Sequence, residues 1–113
     1  MADLRQAVLM NDMQLVETVA KEAGVVGRYD LSGRFAVESG WGGRDWFSPL
    51  DDDADCFLLA TRFHGLQLDQ IVAKAHATFE QLDLVRRYVR RNVVLAVAQL
   101  ALMSQEEKYA YGW

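Results

Sequence analysis

Cysteine is nearly absent from this chain of 113 residues, with Cys56 standing alone. A lone cysteine excludes an intramolecular disulfide, so a reducing cytoplasm is the expected compartment. Proline is equally scarce. Pro49 is the single instance, and with no internal repeat or low-complexity run nothing reads as an interdomain linker. No apolar run approaches the ~18 residues of a membrane-spanning helix. The longest, Val93 to Met103, is broken by Gln99, and no membrane role is expected. The opening MADLRQAVLMNDMQ carries acids early and lacks the cationic segment, apolar core and small-residue cleavage site of a signal peptide, so no export is expected. An excess of basic charge is missing too. Twelve Lys plus Arg against sixteen Asp plus Glu give a net charge of -4, which disfavours nucleic acid or anionic membrane by bulk electrostatics but leaves a local basic patch open.

What is present suffices for one packed domain. The apolar fraction is 51% and the charged fraction 25%, close to globular averages, and a chain of this length buries a single core. Leu15, Val16, Val19, Ala20 and Ala23 recur at helical spacing behind Asn11 and Gln14, a capping-box start, and ahead of Gly24, a stop. A first helix is predicted over 12–23, extendable backwards to Asp3. Val26 to Leu31 and Arg34 to Ser39 flank Ser32-Gly33 as a hairpin. Gly40 to Gly43 then turn the chain into Arg44 to Phe47, a third strand or a loop. Ser48 as cap, Pro49 at the first helical position and Asp51 to Asp53 against the helix dipole predict a second helix over 49–64, stopped by Gly65. Ile71, Ala73, Ala75, Ala77 and Phe79 alternate with Val72, Lys74, His76, Thr78 and Glu80, which reads as a strand over 70–80, with a helix as the rival because alanine disfavours strands. Asp83 caps a long final helix from Leu84 to Ser104 or beyond, apolar nearly all round in its second half. The tail EEKYAYGW carries no period.

Three of these segments, VETVAKEAG, DWFSPLDDDADCFLLATRFHGL and RRYVRRNVVLAVAQLAL, in this order around a hairpin, resemble the phage ABA sandwich domain, a family of small uncharacterised proteins of tailed phages and prophages. The resemblance spans about residues 14 to 103 and is most specific from Trp46 to Leu59, where Trp46, Pro49, Leu50, Asp52, Asp53 and Asp55 fall on the family pattern. Phe47 and Ser48 depart from it, since an asparagine often precedes the proline in the family; serine caps equally well. The resemblance implies helices packed on a small sheet and a phage or prophage origin. It implies no activity.

No motif assembles a catalytic set. Asp51, Asp52, Asp53 and Asp55 suggest a hard cation, but an EF-hand register puts Cys56 where glycine is required and Arg62 where the bidentate glutamate belongs. Capping and dipole complementation account for the cluster. His64 and His76 form no HxxxH pair, so zinc has no support, and no cofactor is expected. Cys56 reads as a small apolar core residue. GWGGRDW lacks the glycine and lysine positions of a nucleotide loop. Trp41 and Trp46 are core residues or, more so for Trp41, exposed anchors for a partner. Arg86, Arg87, Arg90 and Arg91 gather on one side of the final helix, where they would meet phosphates, face the acidic cluster, or lie in solvent.

The expected architecture is α+β, in the order helix, hairpin, helix, strand, long helix, with the last helix backing a small antiparallel sheet whose edges could pair in a homodimer. The expected role is non-catalytic, through an unknown host or phage protein. Nucleic acid bound by the arginine patch is the alternative, and an enzyme whose groups converge only in the fold the third.

Overall fold

The computed structural model describes residues 10–103. Among them the chain runs α1 (Asp12–Glu22), β1 (Val26–Tyr29), β2 (Phe35–Ser39), α2 (Asp53–Ala60), a 3-10 turn (His64–Leu66), α3 (Leu68–Thr78) and α4 (Leu82–Leu102). It is a small α+β fold. The extension of the first helix to Asp3, the continuation of the last beyond Ser104 and the tail lie outside the described residues.

The helix α1 starts as its sequence dictates. Asn11 Oδ1 accepts from the Gln14 amide at 2.8 Å and Gln14 Oε1 accepts from the Asn11 amide at 2.9 Å, so two orphan donors of the first turn are satisfied reciprocally. Leu15, Val16, Val19 and Ala20 form its buried stripe. The hairpin pairs Gly27 with Val37 and Tyr29 with Phe35, with an irregularity between Val26 and Gly27. At Gly27 the Ala36 carbonyl oxygen would stand 2.1 Å from a Cβ, so only glycine fits that crossing. Asp30 Oδ1 closes the turn by accepting from the Ser32 amide at 2.9 Å and the Arg34 amide at 3.2 Å, and the Ser32 hydroxyl bond holds its carboxyl below the usual carboxylate range. The third strand shrinks to one bridge, Ala36 opposite Trp46, framed by Val37 N–H to Asp45 O and Phe47 N–H to Phe35 O.

Three boundaries differ from the sequence reading. Ser48-Pro49 does not open α2: the Ser48 carbonyl accepts from Asp51 and Asp52 in a tight turn, and Asp52 is the cap, its Oδ1 accepting from the Ala54 amide at 2.8 Å. The helix also ends early, at Ala60, where the Thr61 hydroxyl donates to the Leu58 carbonyl, so His64 lies in the following turn. The final helix begins at Leu82 after Gln81, with Asp83 inside its first turn.

The larger correction concerns residues 70–80, which form the helix α3 and not a strand. The alternation rested on Ala73, Ala75 and Ala77, and alanine is the best helix former. Read at a period of 3.6, Leu68, Ile71 and Ala75 make one stripe, and Ala75 is fully buried. Consequently α4 meets three helices, and the sheet is the hairpin alone, whose Phe35 joins the same core. The helix packs against α1, α2 and α3. Val93, Val94, Val97, Ala98 and Leu100 give it a buried surface wide enough for neighbours on several sides, and its valines join Leu15, Val19, Phe35, Phe47 and Leu59 in one core.

Candidate functional site

Asp55 fixes the segment between the hairpin and α2. It is 1% exposed, in the first turn of α2, and its Oδ1 takes the Trp41 indole N–H at 3.1 Å and Arg44 Nε at 2.6 Å, while Oδ2 takes the Ser48 amide at 3.0 Å. Trp41 is therefore core, 3% exposed, stacked edge-on against Phe47 and covered by the Arg62 guanidinium 4.7 Å from its ring centre. It cannot serve as a surface anchor. The tryptophan left partly in solvent is Trp46, 38% exposed, with Arg34 above its ring at 5.2 Å. Arg34, Arg44, Trp46 and Asp55 edge a cleft of about 630 Å³ reaching from Tyr29 to Asp52. Two of its carboxylates already serve the fold, since Asp55 anchors Trp41 and Asp52 caps α2.

The acidic cluster divides its labour. Asp52 also pairs with Arg44 at 3.3 Å, and Asp53 receives both Arg86, at 3.4 Å, and Arg90. No three side chains of the metal-ligating types converge among the described residues. The four arginines divide as well. Arg90 is tied down by Asp53 and, through Nε, by the Leu50 carbonyl at 2.8 Å, whereas Arg91 turns to Asp12 of α1 at 3.0 Å. Arg87 is exposed and makes no ion pair among the described residues. The notch holding Arg86, Arg87 and Arg90 also contains Asp51, Asp52, Asp53 and Asp83, four carboxylates against three guanidiniums. Local charge there opposes a phosphate.

A different surface lies on the other side of Asp53. Three helical stripes converge: Asp53, Cys56, Phe57 and Ala60 of α2, Leu68, Val72 and His76 of α3, and Leu82, Val85, Arg86, Val89 and Arg90 of α4. Each stripe follows i, i+3/i+4, i+7/i+8 spacing, so each helix turns one face to the same trough. The trough encloses about 310 Å³ and is apolar except at its rim. Phe57 and Leu82 on its margins are 62% and 55% exposed. Cys56 in its wall is no nucleophile, because burial pushes its thiol up to about 11, opposite to the depression an attacking thiolate needs.

None of the groove's apolar residues was singled out by sequence reasoning as functional. With 70–80 read as a strand, Leu68 and Val72 could not share a face with Phe57 and Leu82. The signal was a surplus: three helices carry more apolar positions than one core can hold.

No protein-family model, no curated protein and no solved structure matches the chain. Fold and surface together define a small α+β protein with a three-helix apolar groove. No helix among the described residues is long and apolar enough to cross a membrane.

Proposed function

We propose that this chain is a non-catalytic interaction module, an accessory protein of phage or prophage origin that works in the host cytoplasm by holding another protein. One observation carries the reading: the groove between α2, α3 and α4, where Phe57 and Leu82 stand more than half exposed around an apolar trough. Exposed apolar surface gathered around a depression costs solubility and is the usual mark of a partner site. The resemblance to phage ABA sandwich domains supports the origin, and the lone, unactivated Cys56 is consistent with a reducing compartment. Nucleic-acid binding is the weaker alternative, since Asp53 and Asp12 already neutralise Arg86, Arg90 and Arg91.

The test is a photo-crosslinking amino acid at position 57 in tagged protein, with position 38 on the hairpin as control, exposed to host lysate with and without nuclease. A nuclease-resistant adduct with one protein at position 57, absent at 38, is expected, and Leu82→Asp should abolish it. Partners that vanish with nuclease would sink the reading and move the arginine face forward.

A further inference from the structure

We infer that β1 takes an extended segment of a partner protein as a third strand, laid along its open edge in a second groove, between β1 and α1. This surface is separate from the three-helix trough, so the two readings stand or fall apart. The hairpin's two edges differ. Beyond β2 the chain closes the sheet itself: the Val37 N–H donates to the Asp45 carbonyl at 2.8 Å and the Phe47 N–H to the Phe35 carbonyl at 3.0 Å. Main-chain groups alternate sides along a strand, so residues 35 and 37 of β2 face outwards and Ala36 faces β1. Opposite them in the register stand Tyr29 and Gly27, which by the same alternation face away from β2, while Arg28 pairs with Ala36. The turn agrees, since the Asp30 N–H reaches across to the Arg34 carbonyl at 2.9 Å. The N–H and C=O of Gly27 and of Tyr29 therefore point to a side where the sheet has no third strand among the described residues. Their natural complement is a backbone in the extended conformation, whose donors and acceptors repeat at the same spacing.

Room is the second argument. A groove of about 470 Å³ borders β1, with Glu17, Ala20 and Lys21 of α1 on its far wall and the buried Val25 and Phe35 also lining it. All four residues of β1 line it although their side chains alternate between two faces, so the groove meets the strand at its edge. Charge does not choose the occupant, because one carboxylate, Glu17, stands there with two cations, Lys21 and Arg28. Selection rests on the backbone and on shape. A second copy fits poorly: α1 borders the groove in each copy, so two copies would bring two helices into room for one strand. The irregularity at Val26 and the short length of β1 restrict pairing to 27–29, so the edge captures a short segment without templating an open sheet.

The probe is a capped heptapeptide of alternating threonine and valine, compared with the same peptide N-methylated at its central residues, which removes backbone donors and keeps the side chains. Binding to the ¹⁵N-labelled full chain is read by amide chemical shifts and by hydrogen exchange. Saturating peptide is expected to slow exchange at Gly27 and Tyr29 by about tenfold and to leave Arg28, already paired with Ala36, unchanged. The methylated peptide should do neither. Lys21→Trp, at an exposed position on the α1 wall, should block the groove by bulk and abolish the effect without touching the hairpin. Failure of the unmethylated peptide to bind, equal binding of the methylated one, or protection confined to residues outside 25–29 would overturn strand addition. Gly27 and Tyr29 amides protected in the free chain at every concentration would overturn it by showing the edge already covered, and protection that grows with protein concentration alone would overturn it in favour of a second copy. None of these outcomes bears on the position 57 crosslink, which tests the three-helix trough.

Discussion

At the scale of single residues, Asp55 is the one fully buried charge among the described residues, and three donors depend on it. Removing it strands the Trp41 N–H and the Ser48 amide, while Arg44, partly in solvent, keeps its pairing with Asp52. Asp55→Ala should therefore cost about 3 kcal/mol in urea unfolding, with Asp55→Asn losing less because its amide oxygen still accepts one bond. Sequence spacing read the aspartates as capping groups, and Asp52 is one. Which tryptophan faces solvent was not legible, because the group that buries Trp41 stands 14 residues away and is named only by the fold. Cys56 supplies a second prediction. Its folded-state value lies near 11 against an ordinary value of 9.0. Below the ordinary value the thiol is neutral in both states and its contribution is intact; above it the unfolded chain ionises first. Stability should fall as pH climbs from 9 through 11, and Cys56→Ala should flatten that decline in thermal melts across the range. Tyr29, pushed up to about 12 chiefly by burial and then by Glu17, adds its own decline above pH 10.

At the scale of elements, α3 carries the sharpest test, because strand and helix predict opposite signs for one substitution. Ala73 is exposed on α3. Ala73→Val should cost about 0.5 kcal/mol in a helix, measured by chemical denaturation, and would stabilise a strand. The period misled here because alternating alanines satisfy both patterns, and the choice fell to Leu68 and Ile71, which pack against a core gathered from distant parts of the chain. The hairpin and α1 were legible since their determinants are local: a capping box, a turn, a stop. The boundaries of α2 were not, because two capping groups, Ser48 and Asp52, compete, and the Ser48 carbonyl is consumed by the turn.

At the scale of the whole molecule, α4 holds the structure together. Val94 is fully buried in a core that joins α1, β2, α2 and α4. Val94→Ala should destabilise by about 2 kcal/mol, and far-ultraviolet circular dichroism and tryptophan fluorescence should report the same shifted midpoint, as one cooperative unit requires. The α+β class was readable from the alternation of helical and β-prone segments. The groove was not, since it exists only where three helices meet.

Arg62 ties a knot in this arrangement. From beyond the end of α2 its guanidinium donates to the Ala23 carbonyl at 2.6 Å and the Gly40 carbonyl at 3.0 Å, the two points where the chain leaves α1 and leaves β2. Those points already touch: at Gly40 a Cβ would lie 2.3 Å from the Gly24 oxygen. The hairpin is thus a lobe drawn shut at its neck by a side chain from another part of the chain. Such a lobe opens as a unit when the drawstring slips, so hydrogen exchange in Arg62→Met should accelerate together across 25–39 while the amides of α4 keep their protection.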